Sequence, residues 1–419
     1  MKKRIQNLYI KHKETIHNFI WRSLQIFGKQ GVTFLIFIIA AKLLTPFEFG
    51  IYNYVLAVVF FLIIFGDFGI SIAASNYVAE YNAIDEKKVR CVLFNSGIVI
   101  LGLSSIVTLI TIVFGKYFLS EKFVYVLWTL PMFFFALMTS LYDGIYRGLK
   151  RFERLSIISL ITGFLSLGYV YYLIKNFGLL GALISQNIFY LLLFLVLALD
   201  YKDYDFIFNK EILKKITSYS LWIGLSNIGL FLYTRVDIII LGQFGFIEEI
   251  GYYEIINKIF IMILMPVTLL ATVVAPNTAK NFALGRFDYI KDKIIKESLL
   301  LLLIGLLVSG LSFWIIPLIF KNFLEEYNLG LLILMLNLII ILVPFKFFSS
   351  YISIGYITPS GNVKILTNTL LIYGLLNITL DFILIHSFGF IGVIYATLIS
   401  QFLFIITTDV YFYKKILTR

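Results

Sequence analysis

The amino-acid sequence predicts an all-α polytopic membrane protein with about twelve transmembrane helices in two six-helix lobes, related by a pseudo-twofold axis along the membrane normal. Three observations lead there. First, 60% of the 419 residues are hydrophobic and 14% charged, with a mean hydropathy of +0.94, whereas soluble domains are roughly 45–50% apolar. Second, the apolar residues fall into runs of roughly 20, the length that crosses a ~30 Å hydrocarbon core as a helix. Third, Trp21, Leu24, Gly28, Glu48, Gly50, Tyr52, Ala74 and Asn76 return without a gap as Trp222, Leu225, Gly229, Glu249, Gly251, Tyr253, Ala275 and Asn277, a constant shift of 201 positions.

The spans, each bounded by charged or turn residues, are drawn at 19–44, 51–78, 92–114, 124–146, 155–174, 179–199, 216–242, 252–274, 299–320, 331–356, 365–385 and 390–413. They divide the chain into a basic N-terminal segment (1–18), an N-terminal lobe (19–199), a linker (200–215), a C-terminal lobe (216–413) and a tail (414–419). Segment 1–18 is polar, and the apolar run after it is too long and too polar for a signal-peptide core, so it reads as a retained amphipathic helix. The closing helices of the lobes also match. Phe177-Gly178-Leu179-Leu180-Gly181 leading to Ser185-Gln186 resembles Phe388-Gly389-Phe390-Ile391-Gly392 leading to Ser400-Gln401, with about one helical turn inserted. Because six is even, the second lobe enters the membrane from the same side as the first, a parallel repeat of a kind common in transporters. Pro131, Pro266, Pro317 and Pro344 fall inside spans, where a missing N–H predicts kinks.

Lys and Arg test the span count. Of 35, the N-terminus, the even-numbered loops and the C-terminus hold 25, while the odd-numbered loops hold five: Lys42, Lys116, Lys122, Lys175 and Lys321. Such a bias places both termini in the cytoplasm. The net charge of +11 is thereby accounted for mainly as topology, leaving no contiguous patch for nucleic acid. No loop is long enough for an extramembrane catalytic domain. There is no Gly-x-x-x-x-Gly-Lys-Ser/Thr phosphate loop and no His-Glu-x-x-His, so neither ATP hydrolysis nor that metal chemistry is expected, and no cofactor is implied. The single Cys91 excludes an intramolecular disulfide and a cysteine metal site.

A charge at the centre of a lipid-facing helix costs roughly 2.5–3.5 kcal/mol. The basic residues inside spans (Arg22, Lys29, Arg235, Lys258 and Lys346) and the acidic ones (Asp67, Asp143, Asp237, Glu254, Asp381 and Asp409) therefore need a cavity, a partner or the interface. Arg22, Gln25, Lys29 and Thr33 stand at i, i+3, i+7 and i+11, one stripe of the first helix. Lys29 lies ~15–18 Å into the span, near the midplane. The stripe predicts a wet, cation-lined cavity; the alternative pairs Lys29 with a buried carboxylate. Glu254 and Lys258 are spaced for a helical ion pair and read equally as structural or functional. Arg235 and Asp237, two apart, need different partners. Lys346 is a further cavity candidate, whereas Asp143 and Asp409, near span ends, read as interfacial. Asp67, Asp237, Glu254 and Asp381 are candidates for a coupling-ion site, and no metal site is expected. At the 201-residue shift Arg22 falls on Ile223 and Lys29 on Leu230, so the scaffold is repeated and the first-helix charge is not.

At Ala41-Lys42-Leu43-Leu44-Thr45-Pro46-Phe47-Glu48-Phe49-Gly50-Ile51-Tyr52 and Gly66-Asp67-Phe68-Gly69-Ile70 the chain resembles the polysaccharide-type flippases of the multidrug, oligosaccharidyl-lipid and polysaccharide exporter superfamily. Arg147-Gly148-Leu149-Lys150-Arg151-Phe152, Asp237-Ile238-Ile239-Ile240-Leu241-Gly242 with Gly251-Tyr252-Tyr253, and the Gly-x-x-Gly entries to the sixth and twelfth helices extend the likeness over nearly the whole chain. The resemblance implies export of an undecaprenyl-diphosphate-linked oligosaccharide, such as an O-antigen or capsule repeat unit, across the bacterial cytoplasmic membrane. It also implies a central cationic cavity, with a polysaccharide polymerase and glycosyltransferases as partners. Cations offset the desolvation of a diphosphate, and Gln25, Asn76, Asn227 and Asn277 supply hydrogen bonds for sugars, while the polyprenyl tail stays in membrane lipid. Lacking an ATP motif, transport would draw on an ion gradient, membrane potential or product consumption. A multidrug antiporter of the same superfamily would favour embedded acids. The lipid II flippase branch usually has fourteen helices. A membrane glycosyltransferase or polymerase would need a large outer loop, which this sequence lacks.

Overall fold

The computed structural model describes residues 2–82, 84–202, 206–324 and 326–416. The end of the expected tail (417–419) and the middle of the expected linker (203–205) lie outside them. The chain is all-helical, 91% helix, and eight of its helices are long and apolar enough to cross a membrane, or up to ten if each of two bent pairs counts as one span, among the described residues. It divides into two compact units: residues 1–44 with 58–227, and 45–57 with 228–419.

In the first unit, α1 (Lys2–Leu43) runs as one helix through the segment expected to be separate, because nothing between 2 and 43 breaks it. It lies along α7 (Phe152–Asp200). The approach is close: a Cβ on Gly28 would stand 2.0 Å from Leu160 Cδ2, and Ser156 Oγ donates to the Trp21 carbonyl at 2.6 Å. Small residues at a helix interface permit this packing. The fifth and sixth expected spans are the two arms of α7, separated by a sharp turn at Gly178 (φ 53°, ψ −132°). The expected second span is broken instead, into α2 (Pro46–Asp67) and α3 (Ile70–Tyr81). Phe68 and Gly69 take positive φ between them, and the Asp67 carboxylate caps α3, accepting from Gly69 N and Ser71 N, each at 3.1 Å, and from Ser71 Oγ. After α4 (Glu86–Leu119) and α5 (Phe123–Trp128), Pro131 lies in the first turn of α6 (Leu130–Gly148) and starts that helix rather than kinking it. Gly144 of α6 meets α3, where a Cβ would come within 2.3 Å of the Ser71 carbonyl oxygen.

α8 (Lys210–Thr234) passes from the first unit into the second at Ile228, and the expected seventh span is bent by 55° between it and α9 (Val236–Gln243), with Arg235 at the break. The start of α2 belongs here: a Cβ on Gly50 would lie 1.8 Å from the Ile247 carbonyl oxygen at the start of α10 (Ile247–Ala283). α10 runs on through Pro266 and Pro276, beyond the expected end at 274. Beyond α11 (Phe287–Phe323), α12 (Leu329–Ile340) and α13 (Val343–Ile352) meet at 46°, again with a proline, Pro344, in the first turn of the later helix. The last pair, α14 (Val363–Phe388) and α15 (Ile391–Ile416), is joined through Gly389 (φ 61°, ψ −150°). Packing details recur between the units. Gly229 faces Leu371 as Gly28 faces Leu160, and Gly392 abuts the Leu384 carbonyl as Gly181 abuts that of Leu173.

Candidate functional site

Each unit holds a polar cluster inside its apolar packing. In the first, α1 brings its stripe against α6. The Arg22 guanidinium donates to Gln25 Oε1, and Gln25, only 3% exposed, donates from Nε2 to Asp143 Oδ1 at 3.0 Å. Arg147 Nε holds the other oxygen of Asp143 at 2.8 Å. One turn above Gln25, Lys29 lines a cavity of about 180 Å³ together with Thr139, Ser140, Asp143, Ser159 and Tyr190. Lys29 makes no ion pair among the described residues; it shares its cavity with Asp143, whose carboxylate is held by Gln25 and Arg147. Asp143, expected to be interfacial, is partly buried, its side chain 24% exposed. Thr33 turns its hydroxyl to the Lys29 carbonyl at 2.8 Å.

In the second unit α9, α10, α14 and α15 converge on two carboxylates. Asp237 accepts from the Tyr253 hydroxyl, from Thr397 Oγ1 at 2.9 Å and from Asn377 Nδ2. Asn377 Nδ2 also reaches Asp381 Oδ2 at 3.4 Å, and Ser400 Oγ donates to Asn377 Oδ1 at 2.7 Å. Asp381 is 0% exposed, and its Oδ1 has no hydrogen-bond partner. Two buried carboxylates thus share one amide, and burial without a compensating charge is costly for both. Beside them, Arg235 Nη1 lies 3.2 Å from both oxygens of Glu254, whose side chain is 5% exposed. Arg235 and Asp237 thus take separate partners, as their two-residue spacing requires.

Residues 15–282 match the family described as polysaccharide biosynthesis protein. The chain belongs to this family. No curated protein matches it. Among solved structures, the chain is similar to an inward-facing multidrug resistance MATE family transporter of the MOP superfamily, at TM-score 0.73 and 17% identity, covering 93% of this chain and 97% of that one. It is also similar to the lipid II flippase MurJ in an inward closed conformation, at TM-score 0.68 and 20% identity, covering 94% and 87%. A third is a MOP superfamily transporter from Pyrococcus furiosus, described as having a binding pocket of reversed polarity, at TM-score 0.62 and 17% identity, covering 96% of each chain. At these identities the likeness establishes the fold, that of MOP-superfamily transporters.

The other sequence candidates are placed as follows. Lys346 is turned toward two aromatic rings, with Nζ 3.0 Å from Tyr233 OH and 5.0 Å and 5.7 Å from the ring centres of Tyr233 and Phe404, both of which belong to a buried hydrophobic cluster. Asp67 serves as the cap of α3. Lys258 stands one helical turn from Glu254 on α10. Asn76 donates to Tyr219 OH at 2.6 Å, Asn277 accepts from Asn281 at 2.8 Å through its carbonyl, and Asn227 is half-buried on α8. Sequence reasoning missed Asn377, Thr397, Tyr253 and Ser400. The spacing of Asn377 and Asp381 by four, and of Thr397 and Ser400 by three, puts each pair on one helix face, but only the folded unit brings them to Asp237.

Proposed function

We propose that this protein is a flippase that moves an undecaprenyl-diphosphate-linked oligosaccharide repeat unit from the inner to the outer leaflet of the bacterial cytoplasmic membrane by alternating access. The observation that carries the reading is Lys29, an exposed cation of the first helix that makes no ion pair among the described residues and lines a cavity of its helical unit, with Arg22 and Arg147 close by. A fixed ammonium at membrane depth is costly and is offset when an anionic headgroup enters. A diphosphate is such a group. Membership of a polysaccharide biosynthesis family points the same way. So does the MOP-type fold.

The reading includes twelve spans. Ten follow from length and composition with each bent pair counted once; the turn at Gly178 divides α7 into two, and α6 adds the last. Both termini then lie in the cytoplasm, in line with the distribution of Lys and Arg. The repeated glycine contacts support two lobes of common ancestry, with the headgroup contact in the N-terminal one. Asp237, Asn377, Asp381 and Thr397 would take the coupling cation or proton. A small-molecule antiporter is the competing reading, favoured by those carboxylates.

Replacement of Lys29 by Ala tests the proposal: export of surface polysaccharide should stop while the protein remains inserted, and Lys29→Arg should retain part of it. Normal surface polysaccharide with Lys29→Ala overturns the headgroup assignment. Altered drug susceptibility with intact polysaccharide in the deletion strain would favour the antiporter.

A further inference from the structure

Lys29 and Asp143 face one cavity of about 180 Å³ and form no ion pair among the described residues. A brace around the carboxylate keeps them apart. Gln25 of α1 donates to Asp143 Oδ1 at 3.0 Å, and Arg147, one turn on in α6, holds Oδ2 at 2.8 Å. Gln25 is itself fixed, since its Oε1 accepts from the Arg22 guanidinium. The Asp143 side chain is nevertheless 24% exposed and lines the cavity, whereas among the described residues neither Gln25 nor Arg147 does. An anion entering this space therefore meets one ammonium that attracts it and one carboxylate that repels it. Hydrogen bonding to Gln25 would be served equally by an asparagine carbonyl. The charge of Asp143 is felt by Arg147 and by whatever occupies the cavity.

Resting on the assignment of Lys29 to a diphosphate headgroup, we infer that Asp143 limits the hold of this cavity on its anionic ligand and so permits release. Arg22 and Lys29 stand two helical turns apart on α1, and Arg147 approaches from α6. Three such cations acting together would grip a diphosphate firmly, and a firmly gripped ligand leaves slowly. Asp143 offsets part of that charge twice over: it occupies Arg147, and it faces the same space as Lys29 with a negative charge. The brace makes the effect lasting. Because Gln25 and Arg147 hold both oxygens, the carboxylate does not neutralise Lys29 by pairing with it. Affinity is thereby set between that of a cavity with a lone lysine and that of a closed ion pair.

The test is calorimetric titration of inorganic pyrophosphate into the full-length protein in detergent, beside measurement of surface polysaccharide in cells carrying the same variants. Asp143→Asn should bind pyrophosphate at least about tenfold more tightly than the wild type, the scale of one charge removed from a partly buried site, and should export less polysaccharide. Damage to the fold would weaken binding instead. Asp143→Glu should return the affinity toward the wild-type value. Repeating the substitution in Arg147→Gln removes the cation that it leaves uncompensated, and keeps the test decisive where Asp143→Asn alone does not fold: the double variant should bind more tightly than Arg147→Gln. Wild-type binding that Asp143→Asn leaves unchanged or weakens overturns this inference and leaves the headgroup assignment standing. No pyrophosphate binding by the wild type or any variant overturns both. Tighter binding with undiminished export contradicts the role in release, and a gain that persists when Lys29→Ala is also present places the ion elsewhere and overturns the inference as well.

Discussion

Gln25 of α1 and Asp143 of α6, 118 residues apart in sequence, are joined by a hydrogen bond of 3.0 Å from Nε2 to Oδ1. The bond turns a carboxylate near a span end into the floor of the Lys29 cavity. It also ties the first helix to the one that carries Arg147. Replacing Gln25 by Leu removes a donor from Asp143 and an acceptor from Arg22 in one step, at a cost of about 1–3 kcal/mol where the polar groups stay buried. Thermal unfolding in detergent should show the loss, and an unchanged midpoint would mean that the network is not a stabilising element.

Arg235→Ala leaves Glu254 buried without its cation. Breaking such a pair from one side costs about 3–5 kcal/mol, so the variant should express poorly. Adding Glu254→Gln should restore most of the lost protein. Equal yields for the single and double variants would contradict the pairing.

Asp381→Asn removes the carboxylate with an unpartnered oxygen while preserving its volume. We expect increased thermal stability, because an uncompensated charge is gone, together with loss of ion-dependent transport in proteoliposomes. Transport that keeps its response to an imposed ion gradient would exclude this cluster as the coupling site.

Gly181→Ala and Gly392→Ala should each destabilise their own unit, since a Cβ would stand 2.0 Å from the Leu173 carbonyl oxygen in one and 2.3 Å from that of Leu384 in the other. Overpacking against backbone costs about 1–3 kcal/mol or more. The two effects should be similar in size, because the contact is the same. A neutral outcome at either position would break that equivalence.

Topology is open to direct labelling. With buried Cys91 contributing little background, a cysteine at Glu48 or Glu249 should react with an impermeant reagent from outside the cell. Reaction only from the cytoplasmic side would reverse the proposed orientation.

The apolar runs, the 201-residue repeat and the charge stripe on the first helix are all legible in the linear chain, because hydropathy and helical period are local properties. Membrane residence and all-helical structure therefore follow from composition and spacing alone. The breaks were less accessible. Phe68 and Gly69, and Arg235, interrupt or bend apolar segments through backbone angles that no run of hydrophobic residues announces, whereas the break at Gly178 falls between two spans that the sequence already separates. Of the prolines expected to kink helices, Pro131 begins one, and Pro344 begins α13 at a 46° bend in its span.

Partnership was decided by the fold. Lys346 and Lys29 look alike in sequence, each a lysine in an apolar span, but one is packed against Tyr233 and Phe404 and the other lines a cavity. Asp143 and Asp409 likewise look alike in sequence, and one is hydrogen-bonded to Gln25 of another helix while the other lies beside Ser349 and Lys346 of α13. Sequence by itself determined that these charges stand in apolar helices, since position in a run sets depth. Only the tertiary structure determined which of them meet, because a charge in a low-dielectric interior is governed by neighbours on other helices, and those neighbours lie up to 160 residues away.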